Sequence, residues 1–225
     1  MLNDIKYVLI PGKPFQTECP ISLYRQLKSH WVEFWSQEYN SYGSHSNLDP
    51  MNFYRQDKYT VILEGNTVVA TQSLTYFDLR YGYDDFFYFN EMHSKETLQI
   101  LMSRGLNRIL VQQYFMVNQD YSARRTGLNW SAVMAMLSLK NHEGFDGTLT
   151  AARTEVAAGS LAIKLGYEKI SDNHLVHNVP VASYFCQNPL PYRRTQENTL
   201  TDMLWNSRLD FTNTWSCLLY TSRCV

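Results

Sequence analysis

The sequence predicts a mixed α+β (α/β mixed) fold, and three stretches carry that prediction. Ile109 to Val117 is an apolar, β-branched run of strand length; turn chemistry follows at Asn118 to Ser122, then two arginines, Gly127 and a segment of helical periodicity. Phe145 to Ala152 reads as a strand and Val156 to Leu165 as a helix, which Gly166 ends before a further strand. Tyr59 to Leu63 and Thr67 to Thr75 are two strands joined by Gly65-Asn66, the pattern of an antiparallel hairpin.

The elements follow in order. Tyr7 to Ile10 is a short strand within an extended lead-in, stopped by Pro11-Gly12. Pro20 suits the first turn of a helix whose apolar face is Leu23, Leu27, Trp31 and Phe34, with Trp35 beside it. Asp49 to Gln56 connects to the hairpin. Tyr76 to Phe89 is the densest aromatic stretch, which fits either a strand covered on both faces, by the core and by a second copy of the chain, or an aromatic substrate pocket. Ser94 with Glu96 opens a helix over 97–107. After Gly127, Leu128, Val133, Met136 and Leu137, with Met134 or Leu139, share one helix face. Beyond Ile170 the pattern thins to a strand at Leu175 to Val181 and a weak helix at Thr195 to Leu209.

Composition bounds the function. A chain of 225 residues, 44% hydrophobic, suits one domain with elaborations. A net charge of -1 argues against electrostatic binding to nucleic acid or an anionic membrane. No apolar run approaches membrane-span length, and the N-terminus is too short and polar for a signal peptide, so the cytoplasm is the expected location. The four cysteines show no metal-ligand or redox spacing, and no metal is expected; His174 and His177 would face opposite sides of a strand. Cys217 to Ser222 reads as one frame of a common sequencing-transposase adapter, so 217–225 is expected to be a non-native tail. The expected organisation is 1–48 as an N-terminal segment and helix, 49–182 as the core, and 183–216 as a C-terminal extension.

A strand that passes through a loop into a helix leaves the helix's first N–H groups unpaired, and with adjacent arginines these make an anion site. Arg124-Arg125-Thr126-Gly127-Leu128-Asn129 resembles the R-x-x-G-x-G/A signature of the GCN5-related N-acetyltransferase superfamily. Asn129 stands where the second glycine or alanine usually is. Downstream, Lys164-Leu165-Gly166-Tyr167 resembles the family's K-x-G-F ending. The resemblance implies a mostly antiparallel twisted sheet, with a splayed strand pair at the cofactor site and helices around it. It also implies acetyl-CoA or another acyl-CoA as co-substrate, with Arg124, Arg125, Thr126, Gly127, Leu128 and Asn129 around the diphosphate. Backbone groups of Phe115, Met116 and Val117 would hold the pantetheine arm and the carbonyl.

The implied activity is transfer of an acetyl or other acyl group to a small-molecule or protein amine. Two alternatives stand beside it: a long-chain N-acyl amino acid synthase-like enzyme fed by acyl carrier protein, and a non-catalytic acyl-CoA-binding module. Two positions depart from the family pattern. Ala162 stands where many members carry the tyrosine that protonates the leaving thiolate, and Glu155 where an asparagine is common. Tyr114 and Ser160 are the candidate substitutes for the acid; Glu91, then His93, are the candidates for the base. No nucleic acid or membrane partner is expected, and a homodimer fits the aromatic stretch.

Overall fold

The computed structural model describes residues 4–13, 19–41, 48–81, 92–176 and 178–212. Glu91, His177, most of the aromatic stretch and the 217–225 tail lie outside them. The described strands are β1 (Ile5–Pro11), β2 (Lys58–Glu64), β3 (Thr67–Asp78), β4 (Arg108–Val117), β5 (Gly147–Arg153), β6 (Glu168–Val176), β7 (Val179–Cys186) and β8 (Leu209–Asp210). They form one sheet in the order β6-β7-β5-β4-β3-β2-β1-β8. Pairing is antiparallel except for β4 with β5 and β1 with β8.

The helices are α1 (Ile21–Ser41), α2 (Lys95–Ser103), α3 (Ala123–Thr126), α4 (Trp130–Leu139), α5 (Ala158–Lys164) and α6 (Thr195–Asn206). Helix α1 buries Tyr24, Leu27 and Trp31 against Val61, Phe53 and Met116. Helix α2 packs Leu98 and Leu101 on Phe77, Ile109 and Val111 of the same sheet face. The opposite face carries α4 and α6, through Val133, Met134, Leu137 and Leu204, and α5 through Ala162. Burial on both faces is why β4 reads as an almost continuous apolar run. Among the described residues no helix is long and apolar enough to cross a membrane.

Local signals translated directly. Ser94 caps α2 by accepting from the Thr97 N–H at 3.2 Å. Gly166 ends α5 at φ 94°, a left-handed position that favours glycine. Three expectations need correction. The helix does not begin at Gly127: the arginines sit in the single turn α3, Gly127 closes it at φ 75°, and α4 starts at Trp130. The strand expected at Leu175 to Val181 is the end of β6 and the start of β7, and the boundary expected at 182 falls inside β7, which lies between β5 and β6. The last helix stops at Asn206 because Leu209–Asp210 leaves it to pair with Val8 and Leu9 of β1.

Candidate active site

The sheet divides at one point. β4 and β5 pair only from Ile109↔Gly147 to Gln112↔Thr150. Beyond that, β5 continues along β7, while β4 continues along β3 to Ala70↔Val117. The departure is made at a bulge: between Ser73↔Gln113 and Thr71↔Met116, Tyr114 and Phe115 stand opposite the single residue Gln72. Tyr114 takes φ 50° there, a left-handed conformation for a bulky side chain. Its ring is held edge-on by Trp31 and Trp35, with centroids at 4.9 and 5.2 Å. The bulge aims Tyr114 at α1 while Phe115 and Val117 pack toward α4.

The gap opens into a cavity of about 580 Å³, within the range of small-molecule sites. Tyr114, Phe115, Val117, Asn129 and Ser160 all line it; Met116 is 1% exposed and packs in the core behind α1. His93 does not line it. That imidazole is buried, with Nδ1 3.1 Å from Ser183 Oγ, and burial followed by the neighbouring His174 pushes its pKa down to about 3. Ala162 does line it, so the position of the family's tyrosine contributes space and no hydroxyl. Glu155 is exposed in the turn before α5.

Of the loop at Arg124 to Asn129, Asn129 alone is among the residues that line the cavity; Arg124, Arg125, Thr126, Gly127 and Leu128 are not. Arg124 is exposed and makes no ion pair among the described residues, whereas Arg125 is paired with Asp120. Thr126 Oγ1 is 3.4 Å from the Leu128 N–H, and Leu128 is buried. Asn129 is the N-cap of α4: its Oδ1 accepts from the Ala132 N–H at 3.2 Å, and its Nδ2 donates to the Tyr192 hydroxyl at 3.1 Å. A glycine or alanine could do neither. The Asn129 N–H donates to Glu197 Oε1 at 3.1 Å, and Arg194 bridges Gly127 O and the same carboxylate. Lys164 and Arg153 are the cationic side chains among the described residues of the cavity lining.

Sequence reasoning missed the charged and polar groups on the other walls. Glu38 of α1 and Arg153 of β5 form an ion pair lining the cavity, each side chain about a third exposed. Gln112 and Gln113 line it too, 3% and 4% exposed. Two adjacent glutamines inside RILVQQYFMV were the available signal. Tyr167, named only as part of a motif, donates from its hydroxyl to Gln112 Oε1 at 2.7 Å, and burial raises its pKa well above the ordinary phenol value. Among the described residues no group of three His, Cys, Asp or Glu is placed to hold a metal.

No protein-family model and no curated protein matches the sequence. Solved structures do match in fold. The N-acyl amino acid synthase FeeM from uncultured soil microbes aligns over 81% of this chain and 91% of its own, with TM-score 0.51 and 13% identity. The coenzyme A-dependent acyl-homoserine lactone synthase BjaI, solved with SAM and isopentyl-CoA, aligns over 92% and 93%, with TM-score 0.55 and 11% identity. The Drosophila melanogaster polyamine N-acetyltransferase aligns over 82% and 100%, with TM-score 0.56 and 12% identity. With its mixed sheet parted between β4 and β5, the chain has the fold of the GCN5-related N-acyltransferases.

Proposed function

We propose that the protein is a cytoplasmic N-acyltransferase that moves an acyl group from an acyl-CoA thioester to an amine. The observation that carries this reading is the parting of β4 from β5 at Gln112, which opens a cavity lined by Asn129, the last residue of the loop, and by Phe34, Trp35 and Glu38 of α1. The donor's diphosphate would lie at the loop, where Arg124 and the N-terminus of α4 favour an anion. Its pantetheine arm would run along Phe115 to Val117, whose backbone β5 no longer covers. The amine would enter from the α1 side, where Glu38 is the carboxylate among the described lining residues; it is paired with Arg153, so an ammonium group there would share it with that arginine. Residues from Val176, Val179 and Val181 extend the apolar wall, which favours acyl chains longer than acetyl.

A second reading has the donor as phosphopantetheine on an acyl carrier protein. It is favoured by the Asn129 N–H, which Glu197 already occupies, leaving fewer backbone donors for a diphosphate than for a single phosphate. Thiol release from acetyl-CoA and octanoyl-CoA, with amines as acceptors and mass-spectrometric detection of the amide, tests the function. Amide formation with either thioester supports transfer. Binding with no amide from any acceptor would leave a binding module, and transfer only from a carrier-protein donor would favour the second reading.

A further inference from the structure

Gln112 is the last β4 residue paired with β5, opposite Thr150, so it stands where the cavity begins. Its side chain is almost wholly buried yet lines that cavity. The carboxamide is half satisfied. Oε1 accepts from the Tyr167 hydroxyl at 2.7 Å, whereas Nε2 is buried with no hydrogen-bond partner among the described residues. Burying a donor without an acceptor costs free energy, and such groups are rare in native proteins. The acceptor it lacks would be supplied by a ligand in the cavity. Tyr167 is itself held in place, since its backbone N–H donates to Ala162 O at 3.1 Å and its ring packs with Ala162, Leu165 and Tyr184. Because the phenol keeps its proton, it occupies Oε1 as a donor, which leaves Nε2 as the unpaired end of a side chain that lines the cavity.

Resting on the acyltransferase reading above, we propose that Gln112 is a catalytic residue whose Nε2–H binds the thioester carbonyl oxygen, and that Tyr167 is the positioning residue that fixes the orientation of its amide. The step balances without a further reactant. The amine lone pair forms the C–N bond at the carbonyl carbon, and the C=O π pair moves onto the oxygen, whose charge Nε2–H stabilises. That pair then returns as the C–S bond breaks, the sulfur leaves as thiolate, and one proton lost by the nitrogen is matched by one gained by the thiolate. Neither Gln112 nor Tyr167 gives up a proton. The arrangement adds a preorganised side-chain donor, of the kind that acts where charge develops, to whatever the β4 backbone supplies.

Gln112→Met keeps the side chain's bulk and removes the donor; Tyr167→Phe removes one oxygen. With octanoyl-CoA as donor and a mixture of L-amino acids and agmatine as acceptors, kcat for thiol release should fall about 100-fold in Gln112→Met, the size of losing one oxyanion donor. The dissociation constant for octanoyl-CoA should change by less than about threefold, since the interaction strengthens as charge develops. Tyr167→Phe should give a smaller loss and should add nothing on the Gln112→Met background, because the two act as a unit. Infrared difference spectra of bound carbonyl-13C acetyl-CoA give a readout that needs no acceptor: the carbonyl band should sit lower in the wild type than in Gln112→Met. A kcat within about threefold of wild type, or an unshifted carbonyl band, would overturn the assignment while leaving acyl transfer standing. Wild-type protein that releases no thiol with any acceptor would overturn the transfer reading and this one with it.

Discussion

Glu197 offers a sharp test of how the C-terminal helix supports the site. Its side chain is completely buried, its Oε1 accepts from the Asn129 N–H at 3.1 Å, and Arg194 reaches the same oxygen at 3.1 Å. It thereby ties α6 to the entry of α4. In Glu197→Ala the Asn129 N–H loses its acceptor, which costs about 1–3 kcal/mol for a buried donor. Loss of a negative charge near the start of α4 adds about 0.3–1 kcal/mol. Relief of the second oxygen, Oε2, which is buried with no partner among the described residues, offsets part of this. A net loss of about 1–3 kcal/mol is expected, or about 2–12 °C in Tm for a chain of this size. Glu197→Gln keeps an acceptor for the N–H and loses only the pair with a half-exposed arginine, worth about 0–1 kcal/mol. Urea unfolding with an unchanged slope would resolve the two. Equal stability of Glu197→Ala and the wild type would refute the claim that this carboxylate holds the loop.

Two further outcomes follow from buried or strained positions. His93 is held neutral in the native core, at about 3 against an ordinary 6.5. The unfolded chain therefore binds a proton that the native chain refuses as pH falls from 6.5 toward 3, and stability is lost over that window. The drop between pH 7 and 5 should be about 2 kcal/mol smaller in His93→Gln than in the wild type, measured by urea unfolding at both pH values. Gly166→Ala would place a Cβ 2.8 Å from Asn188 O at φ 94°. It should cost at least about 1 kcal/mol, visible as a lower urea midpoint.

What the sequence made legible was local. The hairpin around Gly65, the Ser94 cap and the Gly166 stop each depend on residues a few positions apart, and each forms as expected. The anion loop was legible as chemistry, but not in shape. Nothing near Gly127 announces that the arginines form their own turn, or that Asn129 is needed as a cap bonded to Tyr192, 63 residues on. The bulge at Tyr114 was hidden because the left-handed turn is imposed on a tyrosine by Trp31 and Trp35, not invited by a glycine. Long-range pairs were hidden for the same reason: Glu38 and Arg153 are 115 residues apart, and β8 exists only because β1 has a free edge for it. The two glutamines of β4 were visible, and their polarity inside an apolar strand is the clue that could have placed the site.

The account's central claim is that the parted strands and the loop at Arg124 form an acyl-CoA site. Calorimetric titration of octanoyl-CoA into the wild type and Arg124→Ala tests it most directly. Arg124 is exposed and makes no ion pair among the described residues, so its removal should leave the fold intact and act on binding alone. The wild type should bind at about micromolar Kd, near -8 kcal/mol. Arg124→Ala should bind about 10-fold more weakly, the low end for a charge-assisted hydrogen bond partly screened by solvent. No binding by the wild type, or equal binding by both proteins, would contradict it.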